Sequence, residues 1–385
     1  MIPTEALPGI AIGLLTAGTA LALIIRQGRA EQEALTDIAS RYGLEARTYA
    51  WWERERVAEG TWEGRPLVIR SYMKGSGKSS HRRHQIGLGG APFTIKARAQ
   101  GMLDNVLQAV GQSDTVTGDA SFDAATVFAL EDPNSLLDAD ARAAVLHWTT
   151  VFEGTIEDGA LKADRRGRLS RGEVGALVDG AKEVVRALER GVATTPDAIA
   201  AIATDDPVPA VRAEAVRILI RIDRQRGQQV AERLLDDPSG LVRAVSADLV
   251  GVRGVPTARA LLSEPTSTDA ERAIALRVLA LDPNAEADLL PWIDAQHTAT
   301  RLAAIHGLAR VGTVAAVEPL LVHARALLGG AVKAAANEAV ATIQGRLVGA
   351  DHGHLSLAEP ARGGELSVAD AQAGALSTVA KPIAG

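Results

Sequence analysis

The chain has 385 residues, enough for two folded domains with further segments, and its formal net charge of −6 does not mark it as a nucleic-acid binder. Only 3% of it is aromatic, and its apolar content is largely Ala, Val and Leu, which favours packed helices with small contacts over a β-sandwich core. The absence of cysteine excludes disulfides, thiolate metal sites and cysteine nucleophiles.

Residues 7–25, LPGIAIGLLTAGTALALII, carry no charge, and a helix of this length spans roughly 30 Å of hydrocarbon. The leader MIPTEA holds Glu5 and no basic residue, unlike a cleaved signal peptide. Arg26 and Arg29 follow the apolar run. The positive-inside rule therefore predicts a single-pass transmembrane helix in the inner (cytoplasmic) membrane, with the C-terminal domains cytoplasmic.

Residues 31–192 read as a small α+β domain. A short amphipathic helix from Gln32 to about Gly43 places Leu35, Ile38 and Ala39 on one face. TYAWWERERV and RPLVIRSYM read as strands separated by the turn-prone AEGTWEG, and PFTIKAR (92–98) and ATVFALE (125–131) as two more. Asp158-Gly159 in GTIEDGALKA signals a hairpin. SRGEVGALVDGAKEVVRALERG closes the domain as a helix, with Ser170 and Glu173 spaced as a capping box and Gly191 at its end.

KGSGKSS (74–80) has the composition of a phosphate loop but not its spacing. The form GxxxxGK[ST] needs glycine at 72, where Tyr72 stands, and no helical period follows. It reads as a hairpin loop. From Gly64 to Leu103 there is no acidic residue, so Lys74, Lys78, Arg82 and Arg83 form a candidate patch for an anionic lipid surface or an acidic partner. The patch lacks aromatic interleaving, so nucleic acid is not expected. His81 and His84 lie among Gly and Ser with Arg82 and Arg83 between them, a poor setting for a metal, and His352 and His354 fall in the tail. Asp119 and Asp123, in TGDASFD, match turn chemistry better than a catalytic carboxylate pair. No catalytic constellation, cofactor site or metal site emerges. GDASFDAATVFALEDP resembles a module of uncharacterised bacterial proteins with no assigned activity.

From Pro196 onward the chain repeats. VRAEAVRIL, VRAVSADLV, ERAIALRVL, TRLAAIHGL and VKAAANEAV align on Arg212, Arg243, Arg272, Arg301 and Lys333, with spacings of 31, 29, 29 and 32. A small residue follows at +3 (Ala215, Ser246, Ala275, Ala304, Ala336) and an aliphatic one at +7 (Leu219, Val250, Leu279, Leu308, Val340), on one helical face. An apolar helix precedes each basic one, with Asp206-Pro207 and Asp237-Pro238 at the first two turns. The pattern DP-x-x-x-VR with a small/apolar helix resembles short HEAT-like repeats, over about 193–348. That resemblance implies an all-α solenoid of about five units that binds protein partners. It is also similar to the repeats of phycobilisome lyases, which implies an enzyme-associated, lyase-like factor as the alternative. The basic ladder itself reads as structural, binding carboxylates or carbonyls of the previous unit.

Residues 349–385 are rich in Gly, Ala and Ser, and repeat GHLSLAE, GELSVAD and GALSTVA, which predicts a disordered tail. Together these features predict a bacterial-type, membrane-anchored, non-enzymatic adaptor. Its solenoid holds a protein partner; the basic loop 74–84 offers a second role as an anionic-lipid sensor.

Overall fold

The computed structural model describes residues 7–50, 53, 55–75, 80–90, 95–100, 117–157, 159–167, 170–325 and 330–350; for residues 7–18, 20–21 and 347–350 it describes the backbone alone. Of the expected tail over 349–385, residues 349–350 end the last helix, and residues 351–385, with His352 and His354, lie outside the described residues, as does Lys78. Two compact units divide the chain, Met1–Val230 and Ala231–Gly385.

In the first unit, eight strands form one antiparallel sheet in the order β1-β2-β3-β4-β9-β8-β5-β6. They are β1 (Glu45–Ala46), β2 (Glu55–Trp62), β3 (Arg65–Lys74), β4 (His81–Leu88), β5 (Ile95–Ala99), β6 (Thr126–Leu130), β8 (Thr155–Glu157) and β9 (Ala160–Arg166). β7 (Leu136–Leu137) pairs separately with β10 (Val192–Ala193). The alternation of side chains decides which face is buried. Ala58, Leu67, Ile69, Ile86, Leu88, Leu161 and Ala163 point inward against α1 (Leu7–Tyr42), α3 (Ala139–Thr150) and α4 (Arg171–Gly191), which contribute Leu35, Ile38, Val145, Trp148, Leu177 and Val185 to one core. A single turn of helix, α2 (Ala120–Ala125), precedes β6.

Local chemistry explains the boundaries. α1 ends in a Schellman turn: Gly43 has φ 69°, Leu44 N donates to Ala39 O at 2.8 Å and Gly43 N to Ser40 O at 3.4 Å. α4 begins at Ser170, whose Oγ accepts from Glu173 N at 3.2 Å, as the sequence predicts. β8 and β9 pair as the expected hairpin, with Glu157 opposite Ala160. Between β2 and β3 the turn is tighter than expected. Only Glu63 (φ 49°) and Gly64 (φ 78°) lie between paired Trp62 and Arg65, a two-residue turn of left-handed residues, so most of AEGTWEG is strand.

The N-terminal expectation is corrected. Among the described residues no helix is long and apolar enough to cross a membrane. This overturns the predicted transmembrane helix over 7–25 and with it the inner-membrane location and membrane attachment. The apolar run is not an element of its own: it is the first part of a single helix of 36 residues. The rest of that helix carries Arg26, Arg29, Glu31, Glu33 and Asp37 and buries Leu35, Ile38 and Ala39 in the sheet's core.

The first unit also contains the helix pair α5 (Pro196–Asp205) and α6 (Pro209–Ile222), which pack together; α7 (Arg224–Arg233) crosses the division. The second unit is helical. α8 (Gly240–Val250), α10 (Asp269–Leu279), α12 (Thr298–Val311) and α14 (Gly330–Ala350) stack in series, α10 between α8 and α12, and α12 between α10 and α14. The preceding helices α9 (Val255–Ser263), α11 (Glu286–Leu289) and α13 (Val314–Ala324) pack on α10, α12 and α14 respectively.

Candidate functional site: the helix-pair array

Each pair buries what its spacing requires. Ala215, Ser246, Ala275, Ala304 and Ala336 are all fully buried, and Leu219, Val250, Leu279, Leu308 and Val340 beside them are buried as well. A side chain larger than Ala or Ser at the first of these positions would hold neighbouring helices apart.

The basic ladder is built into the turns, where its first two arginines bind the Asp carbonyls of their own pairs. Arg212 Nη1 donates to Asp206 O at 2.8 Å, and Arg243 Nη1 to Asp237 O at 2.8 Å. The reason is the Asp-Pro turn. Proline has no N–H, so the Asp carboxylate takes the next free one, Val208 N at 2.9 Å and Ser239 N at 2.8 Å, while the Arg six residues on takes the Asp carbonyl. Arg243 also pairs with Glu264 at 2.6 Å. Where the Asp-Pro pair is missing, other groups cap the helix. Thr268 and Glu271 form a complete capping box on α10, and Arg272 reaches Pro265 O at 3.4 Å and lies over the Trp292 ring. Arg301 reaches Thr298 Oγ1 at 3.5 Å; Lys333 is half-buried near the start of α14.

The first pair is joined to its own unit by a buried ion cluster. Arg142 of α3 holds Asp206 in two parallel bonds of 2.8 and 2.9 Å, donates from Nε to Asp119 at 3.1 Å and reaches Leu137 O at 2.8 Å. Burial would push its pKa down, but the Asp206 and Asp119 carboxylates outweigh burial and hold it above the usual arginine range. Sequence reasoning missed Arg142, because the sequence does not bring residues 142 and 206 together.

Asp119 and Asp123 do turn work. Asp119 Oδ1 accepts from Ser121 N and Phe122 N at the start of α2, and Asp123 accepts from Thr117 N, Thr117 Oγ1 and Gly118 N. KGSGKSS connects paired strands, Lys74 opposite His81, with 76–79 outside the described residues, and a strand follows it instead of a helix. Three of the proposed patch residues are described. Lys74 is exposed at the end of β3. Arg82 points inward and binds Glu31 at 3.0 Å, whereas Arg83 points outward and binds Asp164 at 2.8 Å beside Tyr72. Neighbours on a strand face opposite ways, so these two arginines do not share a surface. The same alternation separates His81 from His84.

One exposed row was not anticipated. Five positions after the basic residue, the stacked helices of the second unit carry Asp248, Arg277, His306 and Glu338, all exposed. Arg277 binds Asp248 of the preceding pair at 3.2 Å. Among the described residues no group of three or more His, Asp or Glu is placed to hold a metal ion. Comparison with protein-family models gives no match, and comparison with curated proteins gives none either.

Proposed function

We propose that the array of helix pairs, read as a HEAT-like solenoid over 193–348, is a protein-interaction scaffold. The observation that carries this reading is the row Asp248, Arg277, His306 and Glu338, which presents an acidic, a basic, an imidazole and an acidic side chain at equivalent positions of successive stacked helices. Helices locked by buried small residues hold such a row in place without an ordering cost on binding. Charges at known spacing select a partner by complementarity more than they add affinity. The occupant that suits the row is a protein segment with basic, acidic and basic side chains at matching intervals.

The test is a charge exchange in the full-length chain. Asp248→Lys with Arg277→Glu keeps the exposed ion pair but reverses its polarity toward a partner. Tagged wild-type and exchanged chains are crosslinked in the native host, with Glu318→Lys, an exposed change on α13, as the control. A partner that is held by wild type and control but lost at least tenfold by the exchanged chain supports the scaffold. A partner held equally by all three, or none held by wild type, overturns it.

A further inference from the structure

Polar groups do not belong in the middle of a sheet's buried face unless something satisfies them. On the inner face, Arg56 of β2, Ser71 of β3 and His84 of β4 lie directly opposite one another in a single cross-strand row. Each is 1% exposed or less. Arg56 Nε, Ser71 Oγ and both ring nitrogens of His84 have no hydrogen-bond partner, and neither has Gln32 Oε1 on α1. Two residues before His84, and inward-facing like it, stands Arg82.

The two arginines come from β2 and β4, two strand spacings apart, yet both reach over β3 to one atom. Arg56 Nη1 and Arg82 Nη2 meet Glu31 Oε2 of α1 at 3.1 and 3.0 Å. Arg56 is the floor of this arrangement, while Arg82, 18% exposed, and Glu31, 11% exposed, form its rim. A carboxylate is a poor match for the donors gathered here. Glu31 serves one nitrogen of each guanidinium and leaves Arg56 Nε–H, the Ser71 hydroxyl and the His84 ring without acceptors. A tetrahedral oxyanion presents four oxygens, and paired guanidinium groups with a hydroxyl are the usual means of holding one.

We propose that the Arg56–Ser71–His84–Arg82 tile is a binding site for phosphate or a phosphoryl group, and that Glu31 occupies it in cis as a stand-in for that anion. Before Glu31, α1 exposes Leu23 and Ile24; after it, Leu35, Ile38 and Ala39 bury the helix in the core. Glu31 thus precedes the part of the helix whose side chains enter the core. An incoming oxyanion needs only to displace its side chain, leaving the buried contacts of α1 intact. Burial holds the His84 pKa below its ordinary value, so the ring stands as a neutral donor beside the anion.

The experiment uses the full chain as wild type, Glu31→Ala, and Glu31→Ala with Arg82→Gln. Each is titrated with inorganic phosphate by calorimetry and by thermal shift, against sodium chloride at equal ionic strength, and again with phosphoserine. Glu31→Ala is expected to bind phosphate at least tenfold more tightly than wild type and to gain thermal stability that chloride does not give. The double variant is expected to lose that gain. Tighter binding of phosphoserine than of phosphate assigns the site to a monoester, and the reverse to the free ion. If Glu31→Ala does not fold alone, folding rescued by phosphate supports the site and failure of rescue overturns it. Equal effects of phosphate and chloride, or equal phosphate affinity in all three chains, would mean that ordered water alone fills the row.

Discussion

Replacing Arg142 by Met tests whether the ion cluster holds the first unit together. The Asp206 side chain is 1% exposed and receives two of its bonds from Arg142, so the substitution leaves a buried carboxylate with the Val208 N–H in place of a guanidinium. Removing one member of a buried pair costs about 3–5 kcal/mol, chiefly because the remaining charge is stranded. In a unit of this size each kcal/mol lowers Tm by roughly 2–4 °C, so a fall of about 10 °C is expected. Scanning calorimetry of the full chain measures it, and intrinsic fluorescence assigns the transition, since Trp51, Trp52, Trp62 and Trp148 lie in the first unit and only Trp292 in the second. Adding Asp206→Asn removes the stranded charge and should recover about 2 kcal/mol, a coupling that independent sites would not give. A loss under about 1 kcal/mol for Arg142→Met, or strict additivity in the double variant, would refute the reasoning.

Three further outcomes follow from the packing. Ser246→Ala should stabilise the second unit by about 1 kcal/mol, because the hydroxyl is fully buried without a partner and alanine fills the equivalent place in the other pairs; a lowered Tm would contradict this. Gly191→Ala should cost about 1–3 kcal/mol in urea unfolding, since its Cβ would strike Asp138 Oδ1, the cap of α3, and sit 2.7 Å from Ala141 Cβ; a neutral result would show that α3 can shift. Burial holds the His84 pKa below its ordinary value of 6.5, with Glu173 opposing the shift. Below that pH the unfolded chain binds the proton first, so stability should fall from pH 7 toward pH 5; His84→Met should flatten this slope, and an unchanged slope would remove His84 as its source.

The array was legible because its signal is local. Residues three and seven apart on a helix share a face whatever the rest of the chain does, and the positions aligned on Arg212 through Lys333 are the ones that are buried. The caps at Ser170 and Gly43 were legible for the same reason. β4 was not, because HRRHQIGL places Arg82 and His84 on the inner face, where apolar residues normally announce a strand, and so it read as a basic loop. α3 was overlooked although Asp138 marks its start, its Oδ1 accepting from Ala141 N at 2.8 Å. The apolar run at 7–25 misled because hydropathy was read over a window that ended at the first charge, while the helix itself continues to Tyr42. The Arg142 cluster and the Arg56–Ser71–His84 row depend on strand register and on contacts between residues far apart in sequence, which no single-residue pattern encodes.

The Arg142–Asp206 pair also bears on how such a chain can change length over evolutionary time. Arrays of this kind lengthen when one helix pair is duplicated and inserted beside its parent. The first pair cannot be copied freely. Its Asp206 is matched to a single arginine on α3, and a duplicate would carry a buried carboxylate with no Arg142 of its own. In the second pair, Asp237 meets Ser239 N and Arg243 within its own turn, interactions that travel with any copy. Gain or loss of pairs is therefore expected after the first pair, and homologues of different length should keep the residues up to Ile222 in fixed register while varying the number of helix pairs beyond it.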